Sequence, residues 1–397
     1  MCKLYCWNAL VGFFSLLMIQ NAAAAPHVLP MYIGSYTTDA NPVGNGAGIY
    51  RVGLNLDSGE IIPSLYLAAS TINPSYILID KNKLYAVNEV DNFLGKSTGS
   101  VSAFNIKPDG ELALINQVSS GGANPVSLTH DKDWQSIVVA NYGNGNPGSA
   151  GVAVFPLNSS GALQDAAQMI TYTGSGLDKE HQAAPHTHAV NGLWVADKQL
   201  IFSVDLGLDK IFVYTLDSET GFLTQSSATL IANKAHPESP TGSRHITVSP
   251  NKKYLYLGNE LSSDIYVYQL NPDTGSLKFV QQIKSYMGQL HTQRNYPAEI
   301  MLNSNGHYLY VSNRGQNTLA QFKINTKTGK LSYIGEVSTY GDFPRDFDID
   351  ASGRYLVVAN QKSDNVTLFN INSINGNLIN PVTFNVPTPV TVKFANE

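Results

Sequence analysis

Four segments of this chain are nearly the same words: Leu84-Tyr-Ala-Val-Asn88, Leu255-Tyr-Leu-Gly-Asn259, Leu309-Tyr-Val-Ser-Asn313 and Leu356-Val-Val-Ala-Asn360. Each is a short apolar run closed by a small polar residue, the pattern of a buried strand that ends at a turn. The same closing position recurs at Ser35, Asn141 and Asp205, which brings the count to seven. Working outward, a polar turn followed by glycine, any residue and then Leu or Ile recurs at Gly59, Gly110, Gly161, Gly221, Gly275, Gly329 and Gly376. A third marker opens each unit: Pro74, Pro125, Pro185, Pro297, Pro344 and Pro389, with Ser243 standing in once. Between the markers of one unit, residues 243–270 give a strand from Arg244, a turn at Ser249-Pro250-Asn251-Lys252, a strand ending at Asn259 and an alternating strand from Ile265. A fourth begins near Leu277. Four short strands per unit, at a period of roughly 50 residues, specify an all-β, seven-bladed propeller. No helical period of 3.6 competes.

The chain ends imply how such a ring closes. The first unit, from Met31, lacks an innermost strand, and the C-terminus carries a spare copy, Pro389-Val-Thr-Val-Lys-Phe394. Pairing the spare strand into the first blade hides two sheet edges.

Residues 1–25 are a different kind of sequence. Lys3 precedes an apolar stretch from Leu10 to Ile19, and Ala22 to Ala25 offer a small-residue cleavage site, the organisation of a secretory signal peptide. Residues 26–397 then form a single propeller domain in the periplasm or medium, with no membrane span once the signal is removed. Cys2 and Cys6, the only cysteines, leave with the signal. Disulfides, thiolate nucleophiles and Cys-type zinc sites are thereby excluded from the mature chain. Apolar residues make up 43% and charged residues 14%, with a net charge of −5. That composition supplies a large core and no basic surface for nucleic acid.

Connection lengths select a working face. The turns after the first strand of each unit are short, whereas residues 91–99, 143–151, 171–184 and 285–296 vary in length and composition. The loops after the second strand and before the first open on one face, and variable loops on a rigid scaffold mark a binding face. Following the opening residue of each inner strand, the channel mouth receives Ser75, Val126, His186, Arg244, Ala298, Arg345 and Val390, then Tyr76, Ser127, Thr187, His245, Glu299, Asp346 and Thr391. The ends of the second strands add Tyr36, Glu89, Tyr142, Leu206, Glu260, Arg314 and Gln361. Blades four to seven thus crowd His, Arg, Glu and Asp where blades one and three are bland. Three arginines among acids and histidines suit a carboxyl-bearing or anionic ligand. His188 stands out because its counterparts, in that alignment, are Ile77, Leu128, Ile246, Ile300 and Phe347. The repeated Asn and Asp residues have a structural role as turn caps, and His181, His236 and His291 fall in loops. His186 and His188 alternate on one strand, but no third zinc ligand sits at a diagnostic spacing, so no metal or other cofactor is assigned. The carboxylates of the ring leave a hard cation open.

At Val139-Ala-Asn-Tyr142, Pro185-His-Thr-His188, Asp205-Leu-Gly-Leu-Asp-Lys210, Gly242-Ser-Arg-His245, Gly258-Asn-Glu-Leu261, Ala298-Glu-Ile300, Ser312-Asn-Arg-Gly315 and Phe343-Pro-Arg-Asp-Phe347 the chain resembles the seven-bladed propeller lactonases. That family includes propeller-type 6-phosphogluconolactonases and 3-carboxy-cis,cis-muconate lactonizing enzymes. The resemblance implies a lactone or carboxylate substrate and a catalytic set matching His186 or His188, Arg244, Glu260 and Arg314. Opening a lactone needs an activated water, a stabilised oxyanion and a proton for the leaving alkoxide. We assign His186 as general base, Arg244 and Arg314 to the oxyanion or a substrate carboxylate, and Glu260 to orienting the histidine or passing the proton. His188, Glu299, Arg345, Tyr142 and Glu89 surround them as substrate-binding residues. The alternatives are the reverse, ring-closing reaction and a non-enzymatic propeller that binds a ligand or protein at the same mouth. The export signal points away from a phosphosugar.

Overall fold

The computed structural model describes residues 27–395 except 40–41, 144–148, 196–197, 218, 232–233 and 289–293. The signal segment and His291 lie outside the described residues. Among those described, every regular element is a strand, and no helix is long and apolar enough to cross a membrane. The strands form seven four-stranded antiparallel sheets, each in simple up-and-down order. Six blades are built from consecutive strands. In the first blade the C-terminal strand Pro389–Phe394 takes the innermost place beside Val28–Ser35, with Ile33 opposite Val392. The ring closes as the chain ends imply.

Seven apolar clusters fill the seven seams between neighbouring blades. Blades one and seven, for example, share Met31, Ile33, Val357, Val366, Val392 and Phe394. Each blade therefore buries both faces of its middle strands, which explains runs such as Tyr254–Asn259 and Ser136–Asn141 with no exposed position. Polar side chains fasten the same seams. Tyr32, Tyr85 and Tyr310 donate their hydroxyl protons to the carbonyls of Gly110, Gly161 and Gly376 in the next blade. Those glycines sit at φ of 86°, 83° and 73°, where a side chain would be strained. The marker asparagines do more than cap turns. Asn88, Asn141, Asn313 and Asn360 donate through Nδ2 to Ile72, Ser120, Ser285 and Thr339, the carbonyls where the preceding blade hands over the chain.

At the mouth, one irregularity repeats in every blade. The pairing of first and second strands slips between Pro74 and Tyr76, Pro125 and Ser127, Ser243 and His245, Pro344 and Asp346, and Pro297 and Ile300. A bulge of this kind re-aims side chains. Here it turns two successive residues, such as Arg244 and His245 or Arg345 and Asp346, into the same axial cavity.

Candidate functional site

The bulge corrects the sequence alignment in blade four. Pairing slips between Thr187 and Ala189, and Thr187 faces Asp205, so Thr187 rather than Pro185 is the opening residue. The strand begins there, Thr187–Val195. His188 therefore occupies the ring position held elsewhere by Ser75, Val126, Arg244, Ala298, Arg345 and Val390. It is not the counterpart of Ile77 or Ile246, a place taken by Val190. Ala189, and not Thr187, fills the second position. His186 stands just above the strand, where other blades carry Asn73, Asn124, Gly242 or Phe343. In each of these places the carbonyl accepts the amide N–H of the residue after the second-strand marker: Glu89 to Asn73, Tyr142 to Asn124, Leu206 to His186, Glu260 to Gly242, Gln361 to Phe343. The proline at 185 mimicked the marker because it stands two residues ahead of the true opener.

His186 is nevertheless held at the rim. Asp205 accepts its amide N–H at 3.0 Å and the Thr187 hydroxyl at 2.9 Å. Gly207 lets the loop close over it, since a Cβ there would lie 1.9 Å from the Ala184 carbonyl oxygen. Its Nδ1–H donates to the Tyr142 carbonyl at 2.8 Å and its ring stacks on Tyr142 with centroids 4.6 Å apart.

The arginines converge from three blades. Glu260 Oε2 lies 2.9 Å from Arg244 Nε and 2.6 Å from Arg314 Nη2. Arg314 also donates from Nε to the Tyr296 carbonyl and stacks over Phe343 at 5.1 Å. Arg345 Nη2 donates to Glu89 at 3.0 Å, a carboxylate that the Tyr36 hydroxyl also approaches to 2.8 Å. Burial alone would raise the Glu260 carboxyl, but Arg314 and Arg244 pull it below its ordinary value. Burial and the adjacent Arg314 bring Arg244 down to about 10, still charged at neutral pH. Asp209 supports this strand from behind by accepting the amide protons of Thr241 and Gly242.

Lining the same cavity as Arg244 and Arg345 are His188 and His245, with ring centroids 5.1 Å apart. Burial, then the charges of Arg244 and His245, hold His188 well below 6.5, so it is a neutral acceptor at neutral pH. His245 Nδ1 lies 2.7 Å from Glu299 Oε2. Burial lowers His245 more than its partner raises it, while Glu299, despite burial, is pulled down by His245 and Lys393 and stays ionised. Asp346 accepts from Thr391 at 2.6 Å and from Lys393 at 3.3 Å, both on the closing strand. Sequence reasoning placed His245 in the ring without giving it a role, because its partner Glu299 comes from the next blade. Elsewhere, His181 pairs with Asp178 at 2.9 Å, away from the ring. Among the described residues no group of three or more His, Cys, Asp or Glu side chains is placed to hold a metal ion.

The family model described as "Lactonase, 7-bladed beta-propeller" matches residues 30–394 of this chain. The chain belongs to the seven-bladed β-propeller lactonase family. A 6-phosphogluconolactonase of Bacillus subtilis is 33% identical, over 76% of this chain and 79% of its own. One from Formosa agariphila is 34% identical, over 76% and 80%. Among solved structures, a periplasmic gluconolactonase of Pseudomonas aeruginosa superposes with a TM-score of 0.80 at 27% identity, covering 92% of this chain and 99% of that one. Within this family's scaffold, the cluster just described is the densest convergence of charge at the channel mouth: Arg244, Arg314, Arg345, Glu89 and Glu260 with a buried histidine pair.

Proposed function

We propose that this protein hydrolyses an unphosphorylated lactone of a sugar acid outside the cytoplasm. The observation that carries this reading is the Arg244–Glu260–Arg314 bridge, whose Arg244 shares one cavity with the neutral His188. Two guanidiniums held by one carboxylate present fixed, buried positive charge to a carbonyl oxygen. That arrangement stabilises the oxyanion of acyl transfer without reorganising in the transition state. His188 takes the proton of the attacking water and returns it to the leaving ring oxygen, in the manner of a general base turned acid. Glu260 keeps the guanidiniums side by side, and Tyr142 with His186 forms one wall of the rim.

The charge balance supports the substrate class. Three guanidiniums, Arg244, Arg314 and Arg345, are already bridged by two carboxylates, Glu260 and Glu89. A phosphate would bring nearly two more negative charges against arginines already paired. The relatives named as 6-phosphogluconolactonases and the periplasmic gluconolactonase both favour lactone opening, and the second favours the sugar without phosphate. An exported protein agrees with it: Lys3, the apolar stretch and Ala22 to Ala25 fit a signal peptide, with the mature chain beginning near Pro26.

The test is the turnover of glucono-lactone and its 6-phosphate by the purified mature chain, with the N-terminus of the exported protein sequenced alongside. Turnover with kcat/KM for the unphosphorylated lactone at least equal to that for the phosphate is expected. A tenfold preference for the phosphate overturns the substrate class. No turnover of any lactone overturns the activity and leaves a ligand-binding propeller.

A further inference from the structure

Three polar atoms of the mouth are buried and have no hydrogen-bond partner among the described residues: His188 Nδ1, Ser75 Oγ and Arg244 Nη1. Their residues are 6%, 4% and 2% exposed. Buried polar groups are almost always satisfied, and each exception demands a partner. All three line one axial cavity, together with Tyr76, His245 and Glu299 of the second ring. The cavity leaves about 10 Å³, close to the smallest volume that holds one water. The three atoms also differ usefully in sense: a guanidinium N–H donates, an imidazole nitrogen accepts, and a serine hydroxyl does either. A water there accepts from Arg244 and donates to His188, leaving Ser75 to take whichever role remains.

We infer that this cavity is the binding site of the hydrolytic water, held by Arg244, Ser75 and His188 on the axis of the propeller. The inference rests on the lactonase reading for its chemical role, though not for the site itself. With the lactone carbonyl oxygen against Arg244 and Arg314, the water oxygen attacks the carbonyl carbon from the axial side. As the new C–O bond forms, the water proton passes to His188 Nδ1, in the tautomer that already carries a proton on Nε2. The oxyanion then collapses, the ring C–O bond breaks, and the imidazolium returns the proton to the leaving alkoxide. The product is the open hydroxy acid, whose carboxyl proton goes to solvent. Arg244 acts twice in this scheme, on the oxyanion and on the water. Ser75 is a positioning residue whose role no sequence motif announces, since blades three and one carry Val126 and Val390 in its place.

Two measurements test the site. The first is a crystal structure of the mature chain at about 1.5 Å resolution. Density for one water at about 2.6–3.2 Å from His188 Nδ1, Ser75 Oγ and Arg244 Nη1 supports the inference. A cavity without density there overturns it, whatever the enzyme turns over. The second is Ser75→Val, which fills the space with a methyl group and removes the hydroxyl. We expect kcat to fall by about 10²-fold with KM within twofold, the split of a group that acts after substrate binding. Ser75→Thr, which keeps the hydroxyl, is expected to recover at least a tenth of the wild-type kcat. Full activity in the Ser75→Val enzyme contradicts the inference, while a wild type that opens no lactone contradicts the function and leaves the crystallographic test standing.

Discussion

The ring has two unlike arcs built on one backbone plan. At the bulged positions, blades four to seven carry His188, Arg244, Glu299 and Arg345, whereas the inner strands of blades one to three offer Val390, Ser75 and Val126. Strand order is common to all seven sheets, and the bulge recurs at each mouth. Charge has therefore been placed on one side, and residues of the other side reach across to it. Glu89 of blade two reaches across to fix Arg345, and Tyr36 of blade one donates to the same carboxylate. A symmetric fold makes such departures visible, because each position has six controls in the same molecule.

The comparison breaks most severely at Arg244. Arg244→Ala removes the proposed oxyanion donor and strands Glu260 beside Arg314 alone. Turnover should fall by about 10²–10³-fold, while Val126→Ala, at the matching position of the quiet arc, should leave kcat within about twofold. Initial rates with a saturating aldonolactone decide it. Comparable losses in the two variants would show that the arcs are not functionally distinct.

A second contrast sets the mouth against the axis below it, where charge serves closure. Lys393 of the closing strand holds Asp346 at 3.3 Å, and burial raises Asp348 to about 6 even with Lys393 nearby. Lys393→Met leaves both acids without their cation, and removing one partner of a buried pair costs about 3–5 kcal/mol. Because Lys393 is 15% exposed, the lower figure applies. Chemical denaturation checks this, and Lys393→Met with Asp346→Asn should recover part of the loss. The pH dependence has a definite sign. The native state keeps a proton on Asp348 that the unfolded chain releases above about 3.8, so this contribution is full in acid and lost as pH rises through about 6.

The smallest effect concerns Phe343. At φ 64° it occupies a slot that Asn73 and Asn124 fill in blades two and three, and a bulky residue there is strained. Its ring lies 5.1 Å from the Arg314 guanidinium and 4.0 Å from the Lys362 ammonium. Phe343→Asn should relieve the backbone and loosen Arg314, giving stability within about 1 kcal/mol of wild type. KM should rise a few-fold, as steady-state kinetics will report. An unaltered KM would mean that the stacking does not position Arg314.

The same two arcs mark what the sequence could say. Repeats at Asn88, Asn259, Asn313 and Asn360 placed the second strand of each blade, since a buried strand and its closing turn are local features. The spare strand at Pro389 announced closure for the same reason. The bulge was not legible: it is a pairing slip between two strands, and the residues on either side look like ordinary alternation. That is why His188, and not His186, holds the first ring position in blade four, where Pro185 stands two residues ahead of the true opener Thr187. His245 was passed over because its meaning depends on Glu299, which comes from the next blade and is 54 positions later. Arg244, Glu260 and Arg314 are legible at the mouth because they depart from the repeat, though only the fold brings Arg244 and Arg314 onto one carboxylate.

The most direct test of the account is the pH–rate profile of three enzymes on one lactone: wild type, His188→Gln and His186→Gln. Burial and Arg244 hold His188 well below 6.5. A base with a lowered pKa stays unprotonated until the pH falls below it, so the acid limb of wild-type kcat/KM should lie below 6.5. His188→Gln should lower turnover by about 10²–10⁴-fold, and His186→Gln by no more than about tenfold. Full activity in the His188 variant, with the loss appearing in the His186 variant and an acid limb at or above 6.5, would contradict the account and return the base to the rim.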